Sequence, residues 1–169
     1  MKNYIAAAAM LLASLTIPVA AVTASEIMPS EPGSTVAHYE KKDLYGVWYS
    51  TLNEGNSQGM ALLVLLENGT ATDYLILSDP DTSQKIIQKS SWSYDAERNL
   101  FEQTVNEVSF QNGKSAAVVT HPHEVIRASI SLEKLGDEVI GIKFRKDDGE
   151  LTGYFKGSDR MLDVITRKQ

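Results

Sequence analysis

From residue 44 onward the chain alternates apolar and polar side chains in runs of about six to eleven residues, separated by tight-turn residues. In the first run Leu44, Gly46, Trp48, Ser50 and Leu52 share one face, and Tyr45, Val47, Tyr49 and Thr51 share the other. Residues 60–66 are continuously apolar, as in a strand covered on both sides. Glu67-Asn68-Gly69-Thr70 then signals a hairpin in which both central residues take positive φ. Residues 71–78 return as a third strand, and Asp79-Pro80-Asp81-Thr82 turns.

The fourth run, 84–94, lines up Ile86, Gln88, Ser90, Trp92 and Tyr94 on one face. In the fifth, 100–110, apolar parity switches from Phe101 and Val105 to Val108 and Phe110, which predicts a bulge near Asn106. Residues 115–120 form a short, ambiguous apolar stretch ended by Pro122. Residues 123–132 point Ile126, Ala128, Ile130 and Leu132 inward. Residues 139–145 do the same with Ile140, Ile142 and Phe144. Residues 151–156 place Leu151, Gly153 and Phe155 on one face, and 161–166 can close the sheet as a last strand. The expectation is an all-β fold: an antiparallel meander β-barrel of eight to ten strands, favoured over a sandwich because the loops are short and closure removes exposed edges. A short helical turn over 35–43, capped by Thr35, precedes it.

The first residues carry a different pattern. Lys2, an apolar stretch from Ile5 to Ile17 and the small residues of Val22-Thr23-Ala24 read as a secretory signal peptide over 1–24, cut before Ser25. The apolar stretch is shorter than the ~20 residues a membrane span needs, and Pro18 interrupts it. Residues 25–37, with Pro29, Pro32 and Gly33, read as a flexible leader, and 38–169 as the barrel domain. The short basic start points to a bacterial protein, periplasmic or secreted.

Composition narrows the chemistry. The chain of 169 residues is 43% hydrophobic, enough for one cored domain. It has no cysteine, which excludes disulfides, thiolate metal sites and cysteine nucleophiles. Sixteen basic residues against 22 acidic ones give a net charge of -6, so nucleic acid is excluded as a partner. Removal of 1–24 takes Lys2 and no acid, and no later run spans a bilayer.

A Gly46-Val47-Trp48 strand, a helical turn before it and a meander after it resemble the lipocalin and fatty-acid-binding (calycin) superfamily, and also bacterial exported lipocalin-like domains with an Asn-Gly-Thr hairpin, here Asn68-Gly69-Thr70. The resemblance covers about residues 38–167. It implies that Gly46 and Trp48 form the structural motif, with Trp48 at the closed end of the barrel under an arginine from near the last strand, Arg160 or Arg167. The family's Thr-Asp-Tyr signature also occurs, as Thr72-Asp73-Tyr74, but in the third strand rather than in a later loop, so it is read as unrelated.

Candidate ligand-binding residues are Trp48, Gln88, Ser90, Trp92 and Phe144: a mostly apolar lining with a few placed polar groups suits a small-molecule pocket. The same residues also suit a filled core. His121 and His123 are the weak metal candidates, two ligands on one strand face with Glu124 beside them but short of a closed site. No nucleophile, base and orienter assemble, and the Asp79/Asp81 and Asp147/Asp148 pairs belong to turns. The reading is therefore an exported, non-catalytic, lipocalin-like binding protein that needs no cofactor and holds a small apolar or amphipathic ligand in the barrel. The alternative is a protein–protein module, such as an inhibitor or immunity-type partner of an exported hydrolase. Tyr45, Val47 and Tyr49 on the outer face would mark a dimer contact if exposed.

Overall fold

The structure, a computed structural model, describes residues 39–54, 57–78 and 83–166. The stretches expected as signal peptide (1–24) and leader (25–37), the cap Thr35, the turn expected at 79–82 and Arg167 lie outside the described residues. A 3-10 turn, Lys41–Leu44, leads into nine strands: β1 (Gly46–Glu54), β2 (Ser57–Leu65), β3 (Thr70–Ser78), β4 (Ser83–Asp95), β5 (Leu100–Asn112), β6 (Val118–Thr120), β7 (Val125–Leu135), β8 (Glu138–Lys146) and β9 (Leu151–Lys156). Helix α1 (Asp159–Thr166) follows. No described helix is long and apolar enough to cross a membrane.

All pairings are antiparallel, and eight strands close a meander barrel in the order β1-β2-β3-β4-β5-β7-β8-β9 and back to β1. The short β6 stands outside this ring, pairing with the second half of β5. The ambiguous stretch 115–120 thus resolves into three strand residues. The expected bulge is present: Ser90 pairs with Val105 and Lys89 with Glu107, so Asn106 is skipped. This extra residue resets the phase of β5, and Val105 and Val108 are both buried. Salt bridges cross the outer face, as from Arg127 to Glu102 at 2.7 Å and Lys89 to Glu107 at 2.8 Å.

Five expectations change. Residues 161–166 are helical, not a strand. Met161, Leu162 and Ile165 are spaced for a helix rather than in strict alternation, and β9 already closes the barrel against β1. The turn after β2 is not the double positive-φ type: Gly69 alone has positive φ, +82°, and Gly69 N–H donates to Leu66 O at 3.1 Å. Asn68 instead uses its side chain, accepting from Thr70 N–H at 3.0 Å and Thr70 Oγ1 at 2.7 Å. Ile140 is 37% exposed rather than inward, because the β7–β8 register shifts between Glu133 and Lys134 and leaves it unpaired. Val47 on the outer face is buried rather than exposed, since Gly157 N–H donates to Val47 O at 2.7 Å and lays the chain after β9 over it. The helical turn sits at Lys41–Leu44, held by Asp43 Oδ2 accepting from Glu40 N–H at 2.9 Å.

The barrel interior contains two apolar clusters. One closes an end of the barrel and includes Leu44, Trp48, Leu65, Trp92, Phe101 and Phe144. The other comprises Leu75, Ile86, Val105 and Val108, with Ala61, Leu77, Phe110 and Ile126 packed against it. Between them lies a layer of polar side chains.

Candidate functional site

Strand alternation builds the polar layer. On β3 the inward residues are Ala71, Asp73 and Leu75; the outer two belong to the two apolar clusters and Asp73 stands between them. Gln103 sits likewise between Phe101 and Val105 on β5, and Gln88 follows Ile86 on β4. Asp73 and Gln88 are direct cross-strand partners. Lys146 and Tyr154 face the same space from β8 and β9.

These side chains surround a cavity of about 70 Å³, walled also by Phe101, Phe144 and Thr152. Its size suits a few water molecules or a ligand of a few non-hydrogen atoms, far short of the roughly 300–1,000 Å³ of a drug-sized pocket. The barrel is therefore mostly filled by its own side chains, as eight strands allow.

The carboxylate of Asp73 is the centre of the hydrogen bonding. Its Oδ2 accepts from Gln103 Nε2 at 2.6 Å and from Gln88 Nε2 at 3.2 Å. Gln103 Nε2 also donates to Ser90 Oγ at 3.1 Å. Gln88, Ser90 and Gln103 are each only 5% exposed. Burial pushes the Asp73 carboxyl up to about 7, against the opposing pull of the two amide donors. Burial, with the nearby charges of Asp73 and Glu150, also raises the Tyr154 phenol, which stays a neutral hydroxyl at physiological pH. Lys146 Nζ donates to Glu150 Oε2 at 2.7 Å, a pair whose side chains are 21% and 10% exposed. The other Glu150 oxygen, Oε1, is buried with no hydrogen-bond partner among the described residues.

Of the residues chosen from sequence, Gln88 and Phe144 line the cavity, and Ser90 lies one bond behind it. Trp48 and Trp92 do not line it. Trp48 is fully buried at the closed end, its Nε1 donating to Leu44 O at 2.9 Å. Trp92 stacks on Phe101 at 5.8 Å between ring centroids, and its Nε1 donates to Leu66 O at 3.0 Å. Both tryptophans thus plug the barrel and satisfy their polar edges on backbone. Among the described residues the cation over Trp48 is Lys156 Nζ, from β9, 5.1 Å from the ring centroid; Arg160 is exposed on α1, and Arg167 lies outside the described residues. Gly46 has φ of +127°, a backbone conformation that side-chain-bearing residues rarely adopt, where the chain turns from the plug into β1.

His121 and His123 are both exposed, and His121 Nδ1 lies 3.1 Å from Asn106 O. No group of three His, Cys, Asp or Glu residues among those described could hold a metal ion. The sequence reading missed Asp73, Gln103, Lys146 and Tyr154. The signal for Asp73 was present, an acid between Ala71 and Leu75 on the inward face of a strand.

No family model matches the chain, and no curated protein matches it.

Proposed function

We propose that this chain is a non-catalytic binding barrel, exported from a bacterial cell, that holds one small molecule inside. The observation that carries the reading is the cavity lined by Asp73, Gln88 and Gln103 in a barrel otherwise packed with apolar side chains. Polar groups in a core cost stability, and their retention around a cavity is what a ligand site requires. The size and lining shift the expected ligand from a large apolar molecule to a small one with a polar end. Export rests on residues 1–24, whose composition is that of a secretory signal. The test is to purify the protein from its native envelope, extract it with organic solvent and analyse the extract by mass spectrometry. A stoichiometric small molecule is expected; an empty extract, together with no probe shifting the Gln88 or Gln103 side-chain amides, overturns the reading.

A protein partner is the second reading. It is favoured by Phe155, 58% exposed on the outer face beside Tyr49 at 5.9 Å between ring centroids, with Leu151 exposed on the same strand face. A partner captured by the protein from an envelope fraction and lost on Phe155→Lys would support it.

A further inference from the structure

We infer that the cavity takes a small organic ammonium ion, its charged head against the Asp73 carboxylate and its short alkyl part against Phe101 and Phe144. The inference rests on the binding-barrel reading and names the ligand class of that same site.

Asp73 is partly buried between the two apolar clusters, its Oδ2 held by two donors from residues each only 5% exposed, yet no lysine, arginine or histidine among the described residues forms an ion pair with it. Carboxylates drawn into a core are ordinarily paired, metal-bound or neutralised by a proton. Here the described residues supply two amide donors to one oxygen, Oδ2, and no ion pair. Both hydrogens of Gln103 Nε2 are used, on Asp73 and Ser90, so its carbonyl oxygen remains as an acceptor. A ligand that donates several hydrogens and carries one positive charge complements that set.

The walls fit the same class. Phe101, Phe144 and Tyr154 form a continuous aromatic run, with centroid separations of 4.9 Å and 6.0 Å, and aromatic rings attract cations at close range. Lys146 reaches the cavity from β8, but Glu150 balances its charge at 2.7 Å. The Tyr154 phenol on β9 is neutral, its ionisation suppressed by burial. Among the described residues these are the titratable groups facing Asp73, the rest of its polar surroundings being non-titrating amides, and the Lys146–Glu150 pair and the neutral phenol bring no net charge against a monocation. The volume of about 70 Å³ suits a short amine.

Binding must then follow the ionisation of Asp73, which lies at about 7. The experiment is a titration of the purified protein with ethylammonium, followed on the Gln88 and Gln103 side-chain amide resonances by NMR at pH 5.5 and 8.5. Ethanol and acetamide serve as neutral probes of similar size. The expected result is saturable shifts with ethylammonium, at least tenfold tighter at pH 8.5, and none with the neutral probes. Asp73→Asn should abolish them; the wild-type pH comparison stands even if that variant folds poorly. Acetamide binding that is tighter at pH 5.5 would mean that the protonated carboxyl donates to a carbonyl, which overturns the amine and keeps the binding barrel. Absence of any ethylammonium response at pH 8.5, or a response unchanged by Asp73→Asn, also overturns it.

Discussion

The closed end of the barrel and the polar layer are built from the same strands, a single inward position apart, and they solve opposite problems. At the closed end every large group is satisfied: Trp48 is fully buried, its indole N–H is paired with Leu44 O, and Lys156 covers its ring. In the polar layer the partly buried Asp73 has no ion pair among the described residues, and Oε1 of Glu150, which pairs with Lys146 of the cavity wall, is buried without a hydrogen-bond partner among them. Moving from Ala71 to Asp73, or from Phe101 to Gln103, changes a stabilising position into one that costs free energy. Such local inconsistency inside an otherwise consistent core is where function is sought.

The largest expected effect breaks the comparison at its stable end. Trp48→Ala should cost about 3–5 kcal/mol, read by urea denaturation, whereas Trp48→Phe, which leaves Leu44 O unpaired, should cost about 1–3 kcal/mol. A Trp48→Ala cost comparable with that of an exposed site would erase the distinction.

The next effect is in the polar layer and depends on pH. Asp73 titrates near 3.8 in an unfolded chain and at about 7 in the fold, so the folded state binds the proton more tightly. The contribution of this group to stability is therefore greatest below about pH 4, falls as pH rises to about 7 and is flat above; the gap corresponds to on the order of 4 kcal/mol. Asp73→Asn should remove this slope and raise the melting temperature at pH 8, a comparison of thermal melts at pH 5 and 8 deciding the matter. Gln103→Leu should be smaller. It removes the 2.6 Å donor from the carboxylate, costs about 1.5–3 kcal/mol above pH 7 and moves the Asp73 titration higher still, visible in carboxyl carbon NMR shifts. Smallest is Lys156→Met, which removes the cation over Trp48 and should cost about 0.5–1 kcal/mol by chemical denaturation.

The strand pattern carried most of the architecture because inward and outward phase is written directly in residue order. Even the bulge at Asn106 was legible, since Phe101, Val105, Val108 and Phe110 cannot share one face without an extra residue between them. The meander followed from the turns. Three things were not legible for a physical reason. Helix α1 is short, and its packing against β1 is tertiary. The cation over Trp48 comes from Lys156, whose position depends on the β1–β9 register, set only when the barrel closes. Whether the interior is filled or open depends on side-chain volumes summed across eight strands. Asp73 was legible as an inward residue from the alternation Ala71-Asp73-Leu75, although it also sits in the Thr72-Asp73-Tyr74 triplet.

Closure has one more consequence. β1 meets β2 along nine residue pairs but meets β9 at only Trp48↔Lys156 and Tyr49↔Phe155. Backbone amides along this thin seam should exchange with deuterium sooner than those of β2 or β4, since few bonds need break for it to part. Tyr154 of the cavity wall lies next to Phe155 of the seam. For the binding reading proposed above, a brief parting of β9 from β1 would widen the way to the cavity, so the rate of uptake would follow how the cylinder breathes along one line.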